Sequence, residues 1–497
     1  MTTYIGLLRK SKHTFYAVLI LFFCVSALAA QEAKLSQQQM LEDFEIFRGA
    51  IEEAHPGLYW YSDTVAVNKR FDKISNAIAN SSTENGLTQG EFHRYLQEFY
   101  AAIRCGHSWM SNPSFRKRYD NGPFQYPFSI FFDGKRAIIQ ASYDSLSELR
   151  TGQEVLKIDG IKIDEIKEKI YPYLPSDGFN TTSKDRKLQN GLLYYYQLNV
   201  KLDSSITLTL KDEQQQIIQK SIQGITKETL AQLEKASKDQ LGIDEAYKPM
   251  HFQVIDEETG LLTINTFSKF WVRKQQNVRF RKYLKDTFRS IKEQNLSRLI
   301  IDMRENGGGN DAAGARLTRY LINQPFSYFR KMELATNKFT YTDYSTSKSL
   351  NLLSKLFKKS KEQPGTYLWK HHGPLRRQKP KKYAFNGQLM VLTSGSTFST
   401  AADVCAILHA NNRAVFAGEE VGGGYYGNNS AISMDITLPN SKIMFWIPLV
   451  RYTNEVDYPD FYGHGVIPDH QISLTATDYL NQEDSVLQKA LKFFDSQ

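Results

Sequence analysis

From Leu41 the apolar positions Leu41, Phe44, Phe47, Ile51 and Ala54 recur at helical spacing, and Pro56 after His55 marks the end of that predicted helix. A second predicted helix opens on a capping box of Thr88 and Glu91, buries Phe92, Leu96, Phe99 and Ile103, and stops at Gly106, the expected left-handed C-terminal cap. His107 therefore stands just past a helix end. Between residues 121 and about 245 the pattern shortens to β-type runs at 128–132, 136–139 and 206–210, with a strand and turn at 152–160. Residues 223–250 are charged and helical in composition, as suits a connector.

From Gly260 the pattern becomes α/β. A strand at 261–267, a helix at 278–293 and an apolar run at 298–303 (RLIIDM) read as buried parallel-sheet elements. A second unit follows, with a strand at 389–392, a polar turn at 393–399, a helix at 401–410 and a strand at 414–417. No repeat at a solenoid period is present.

Residues 15–30 (FYAVLILFFCVSALAA) are uncharged, follow Arg9, Lys10 and Lys12, and end in an Ala27-Leu28-Ala29 pattern, the layout of a cleaved secretory signal peptide. Sixteen residues fall short of the ~20 that span a bilayer. The expectation is an exported, periplasmic or secreted protein with no membrane span once the leader is removed. Two cysteines remain, Cys105 and Cys405, free to pair in an oxidising compartment and without metal-type spacing.

With 497 residues and abundant aromatics (28 Tyr, 30 Phe, 5 Trp), the chain is long enough for about three globular domains. Its net charge of +9 would ordinarily raise nucleic acid as a partner. The excess is local, however: three basic residues sit in the leader, and 14 Lys and Arg stand against Glu333, Asp343 and Glu362 within 330–382. The remainder is mildly acidic, so no nucleic-acid partner is expected. The stretch 330–382 reads as a solvated basic insertion. His371 and His372 within it lack the carboxylate pattern of a metal site, and neither metal nor cofactor is implied.

Two strand-turn-helix junctions carry the chemistry, both at carboxyl ends of predicted parallel strands, where open α/β sheets place ligands. In Arg304-Glu305-Asn306-Gly307-Gly308-Gly309-Asn310, three glycines uncover backbone N–H groups near a helix start. The second junction, Thr393 to Ala402 (TSGSTFSTAA), puts a serine at a helix head. A serine there is first of all a good N-cap, and the same geometry also suits a nucleophile facing the helix dipole.

RLIIDMRENGGGNDAAG and VLTSGSTFSTAADVCAIL, followed by GEEVGGGYYGN, LPNSKIMFWIP and HGVIPD, resemble the C-terminal processing and tricorn-type serine peptidase family. The resemblance extends upstream to EEAHPGLYWYSD, CGHSWM and GQEVLKIDGIKID, the last similar to part of a degenerate PDZ domain. It implies a multidomain α/β fold with a ClpP/crotonase-like βαβ catalytic core. It also implies a nucleophile at Ser399 and an oxyanion hole from the Thr400 amide with that of Gly307 or Gly308. One branch of the family uses a lysine downstream of the serine, but Gly422-Gly423-Gly424 occupies that element here. The tricorn-like branch uses a histidine, and the matching residue is His107. A neutral imidazole takes the serine proton and returns it to the leaving amine. For the third member the closest corresponding position is Tyr462. Asp460 and Asp457 are its acidic neighbours, Ser108 is an alternative that would orient the imidazole, and Asp469 reads as structural.

The expected organisation is a leader at 1–30, an N-terminal helical domain at 31–120, a PDZ-like module with connector at 121–250, a peptidase core at 251–475 and a C-terminal helix at 476–497. The expected activity is endopeptidase action on peptides or unfolded protein. A catalytically silent relative that binds a hydrophobic ligand or protein C-termini is the alternative.

Overall fold

Five parallel strands run through the centre of the molecule in the order His470–Gln471, Val415–Gly418, Gln388–Thr393, Arg298–Asp302 and Thr259–Ile264, with Met250–Val254 antiparallel at one edge. Their near-continuous apolar runs follow from burial on both faces: Leu299 to Ile301 and Leu389 to Leu392 are all buried. Asp302 pairs in register with Leu392, so the two loops singled out from the sequence leave the same end of adjacent strands. The computed structural model describes residues 34–81, 86–143, 148–241, 247–361, 365–369 and 371–495. The predicted leader lies outside the described residues.

A second sheet is built on the long strand Met444–Asn454, which pairs antiparallel with Asn429–Thr437, Phe329–Leu334 and the short Trp109–Ser111. Through that short strand the chain just after His107 joins the sheet, and Trp109 stacks on Trp446 at 3.6 Å. The helices Gln37–Ala54 and Gln89–Ala102 pack on the same sheet, with Phe47 against Phe445 at 5.1 Å, and Thr64–Ala79 packs on those two helices through Phe71 against Phe44 and Phe99. Asp43 accepts the Asn440 and Ser441 N–H groups at 2.9 and 2.7 Å. These helices enclose no core of their own: Phe44, Phe71 and Phe99 belong to one buried cluster with Met434, Phe445 and Val404.

The first helix starts from a Ser36–Gln39 capping box, and Met40, Phe44, Phe47 and Ile51 form its buried face. Leu41, expected inside, is 37% exposed because the stripe begins one residue earlier. The Thr88–Glu91 capping box forms as expected. Its C-terminal end does not: the left-handed residue is Arg104 (φ 62°), not Gly106.

The third sheet, Phe128–Phe132, Ala137–Ser142, Glu154–Ile158, Ser205–Lys211 and Ile217–Gln223, has a separate core that includes Phe132, Ile158, Leu188 and Leu208. The turn after Glu154–Ile158 uses positive φ at Asp159 and Gly160, as the sequence suggests. The 18-residue helix Thr182–Asn199 was not legible in this β-rich region, although Leu188, Leu192 and Tyr196 recur at helical spacing. Its N-terminal end grips the loop after strand Val415–Gly418. Asn180 Nδ2 donates to Val421 O at 3.0 Å, and Arg186 Nε to Glu419 Oε2 at 2.9 Å.

The basic stretch is less solvated than expected. Phe329–Leu334 and Tyr367–Leu368 are sheet strands, and Asp435 accepts from Ser345, Thr346 and Ser347 at 2.7 to 3.1 Å. Cys105 and Cys405 are buried free thiols, so the disulfide left open by the sequence is not formed. No helix among the described residues is long and apolar enough to cross a membrane.

Candidate active site

Ser399 ends the turn between strand Gln388–Thr393 and helix Thr400–Ala410 with φ 56° and ψ −126°. Positive φ is uncommon for a residue with a Cβ and costs about 1–3 kcal/mol. The side chain makes no capping hydrogen bond, so the N-cap use of this serine is not the one adopted. The turn is stitched to the neighbouring strand end. Thr397 Oγ1 donates to Met303 O at 2.8 Å and accepts the Ser394 N–H at 3.0 Å, while Phe398 N donates to Asn306 O at 3.0 Å.

The structure brings His107 to this turn: Nε2 lies 3.1 Å from Ser399 Oγ. Its ring packs on Phe398 with centroids 4.6 Å apart. Gly106 makes that approach feasible, since a Cβ there would stand 2.6 Å from the Phe398 ring. Burial, reinforced by the nearby Lys187 ammonium, pushes the imidazole down to about 4. His107 is therefore neutral near pH 7 and able to accept a proton.

Thr400 N is the first amide of its helix and has no intrahelical acceptor. The glycine loop faces it: a Cβ on Gly308 would meet Thr400 N at 3.1 Å and Ser399 Cβ at 2.7 Å. Of the two glycine amides expected at an oxyanion hole, that of Gly308 is committed, donating to Asn306 Oδ1 at 2.9 Å. Gly307 is exposed, and its amide has no intramolecular acceptor among the described residues. Behind Ser399, a Cβ on Gly423 would lie 3.1 Å from Ser399 N, so this glycine loop packs directly on the turn.

The expected third members do not reach the imidazole. Asp457 and Asp460 are exposed, and neither hydrogen-bonds His107, whose Nδ1 is buried without a partner. Ser108 is engaged elsewhere. Its Oγ lies 2.9 Å from His55 Nε2, and because Gly57 N donates to His55 Nδ1 at 3.1 Å, Nε2 is the protonated donor. This buried pair explains the His55-Pro56-Gly57 and His107-Ser108 motifs jointly. Asp469 accepts the Phe416 N–H at 2.7 Å, a structural task as expected. His372, expected to be solvated, instead lies 2.7 Å from Asp311 Oδ2 at the start of helix Asp311–Leu321.

Sequence reasoning missed Asp177, a buried carboxylate that accepts the Gly106 N–H at 2.7 Å and the Gly424 N–H at 3.3 Å. No local motif marks it, because its partners are backbone groups of distant loops. Cys105, His107 and Asp177 present potential ligand atoms within 4.8 Å of one another, the single such group among the described residues. Zn²⁺ needs ligands at ~2.0–2.3 Å. The imidazole is already engaged with Ser399, and the charge of Lys187 acts on both His107 and Asp177.

A strained serine at a strand-to-helix turn, a histidine within hydrogen-bond reach and an uncovered amide loop form the constellation of a serine hydrolase. Residues 258–472 match the model of peptidase family S41. The match spans the parallel-sheet part of the chain that carries Ser399 and supports a serine-type peptidase. Its fold is similar to the crystal structure of mature CPAF, with a TM-score of 0.63 at 14% identity over 93% of this chain and 98% of that one. Mature CPAF complexed with lactacystin gives 0.62 at 14% identity, covering 93% and 99%. No curated protein matches the chain.

Proposed function

We propose that the chain is an exported serine endopeptidase in which Ser399 is the nucleophile and His107 the general base. The 3.1 Å approach of His107 Nε2 to Ser399 Oγ carries this reading. Ser399 Oγ attacks the peptide carbonyl carbon as its proton passes to Nε2. The amides of Thr400 and Gly307 hold the oxyanion. The C–N bond then breaks, the proton moves to the leaving amine, and water, deprotonated by the same imidazole, releases the acyl group.

A cavity of about 320 Å³ opens beside the Gly106 loop, walled by Trp109, Met110, Phe115, Tyr194 and Leu198. Its aromatic and aliphatic side chains, interspersed with Gln97, Arg116 and Lys187, support a peptide or unfolded-protein substrate. The sheet from Phe128 to Gln223 is read as a PDZ-like module that presents substrate to this cleft. The strained backbone at Ser399 favours the active enzyme over the silent ligand-binding alternative, since a mere N-cap requires no such strain. Export rests on residues 1–30. N-terminal sequencing of mature protein from an extracytoplasmic fraction tests it, with an intact Met1 as the contrary result.

The catalytic assignment is tested with a serine-directed fluorophosphonate and with hydrolysis of unfolded protein. Wild-type protein is expected to be labelled and active, and Ser399→Ala neither. Undiminished proteolysis in both Ser399→Ala and His107→Ala overturns the assignment.

A further inference from the structure

Asp177 lies on the segment between Tyr173 and the helix Thr182–Asn199 and is 3% exposed. Its two oxygens serve different loops. Oδ1 takes the N–H of Gly106, the residue before His107, and Oδ2 takes the N–H of Gly424, next to the Gly423 that packs behind Ser399. One carboxylate thus bridges the segments that carry base and nucleophile, and it comes from the part of the chain with the separate core.

A second observation points the same way. A carboxylate oxygen of Asp177 and a ring nitrogen of His107 lie within 4.8 Å, while His107 Nδ1 is buried with no hydrogen-bond partner. For Nε2 to accept the serine proton, Nδ1 must already carry a hydrogen, and the ring then becomes cationic. A buried cation with no anion beside it is strongly disfavoured.

We propose that Asp177 is the positioning carboxylate of this site, holding the His107 loop against the Gly422-Gly423-Gly424 loop and opposing the charge of the imidazolium formed in each cycle. The inference rests on the Ser399–His107 reading above and supplies the anion that Asp457 and Asp460 do not.

The groups that face Asp177 are the Lys187 ammonium from helix Thr182–Asn199, Cys105 and His107 from the loop, Tyr61 from the N-terminal region and Asp403 from the nucleophile helix. Burial lifts Asp177 to about 6, against the hydrogen bonds from Gly106 and Gly424 and the charge of Lys187. It gains its charge as pH rises through that value, whereas His107 is already neutral above about 4. The acid limb of activity then belongs to Asp177.

The test is kcat and kcat/KM against pH for peptide hydrolysis by wild type, Asp177→Asn and Lys187→Met, with Ser399→Ala as the blank. Wild type is expected to lose activity as pH falls through about 6. Asp177→Asn should lower kcat by roughly 10²-fold with KM changed by less than about threefold, and its residual activity should show no limb there. Lys187→Met, which removes the charge that holds Asp177 down, should move the limb to higher pH. A kcat within about threefold of wild type, or an unmoved limb, in Asp177→Asn overturns the proposal. Should Asp177→Asn fail to fold, an unshifted limb in Lys187→Met overturns it. Activity that persists in Ser399→Ala would instead overturn the nucleophile assignment, whatever Asp177 does.

Discussion

Ser399 Oγ and His107 Nε2 meet at 3.1 Å across 292 residues of chain. The contact is made where the loop after helix Gln89–Ala102, the nucleophile turn and the Gly422-Gly423-Gly424 loop converge. On the proposed assignment the two side chains act in one proton transfer, so their losses should not add. Ser399→Ala and His107→Ala are each expected to reduce kcat by roughly 10³-fold or more, and the double variant to lose little beyond the worse single one. Single-turnover peptide hydrolysis measures this; additive losses would show that the residues act separately.

Gly308→Ala tests the fit of the amide loop. The position has φ 101°, and an added Cβ would lie 2.7 Å from Ser399 Cβ and 2.8 Å from Phe398 O. Backbone strain of about 1–3 kcal/mol is expected together with displacement of the Gly307 amide. Because one lost oxyanion donor typically costs 10²–10³ in kcat, activity should fall about that far while KM changes little. Hydrolysis kinetics paired with thermal melting separate the two effects.

Ser108→Ala distinguishes structure from catalysis. His55 is fully buried, which pushes its imidazole down to about 3, and its Nε2–H donates to Ser108 Oγ. Removing that acceptor strands a buried donor and should destabilise the fold by about 1–3 kcal/mol in urea denaturation. Since Ser108 makes no hydrogen bond to His107, kcat at a temperature where the variant is folded should stay within about threefold of wild type.

Arg304 forms a two-sided ion pair, with NH2 at 2.7 Å from both Asp302 Oδ2 and Asp484 Oδ2, and so ties the loop after strand Arg298–Asp302 to the head of the C-terminal helix. Asp302 is well covered, whereas the Asp484 side chain is 40% exposed, and the expected loss in Arg304→Met is set accordingly at about 2 kcal/mol. Burial tends to raise the Asp484 carboxyl, but the hydrogen bonds and charge of Arg304 prevail and hold it below its usual value. Its contribution is thus present above the unfolded pKa of ~3.9 and fades as pH falls through the lower folded value. Denaturation of both proteins at pH 7 and pH 3 should show the difference shrinking at acid pH.

Much of the core was legible because burial writes itself into short-range pattern. The apolar runs at 298–303 and 389–392 could be satisfied only by strands covered on both faces, and the glycine-rich and serine-bearing turns that follow them appear where such strands end. Patterns that depend on a distant partner were read less well. Gly106 looked like a helix cap, yet its missing side chain makes room for Phe398 and its N–H goes to Asp177. His372 looked solvated until Asp311 came beside it. Helix Thr182–Asn199 was hidden because its apolar face is narrow, Leu188, Leu192 and Tyr196, and follows a polar, charged start at 182–187.

The sequence alone therefore determined the parallel βαβ core, the serine-bearing turn and the histidine that meets it, since local periodicity, glycine spacing and motif order encode these. Only the tertiary structure decided which groups surround that pair. Ser108 turned to His55, Asp457 and Asp460 stayed at the surface, and Asp177 arrived from the segment before helix Thr182–Asn199. Hydrogen bonds to backbone amides of remote loops need no particular residue nearby in the chain, so no local pattern announces them until the parts dock.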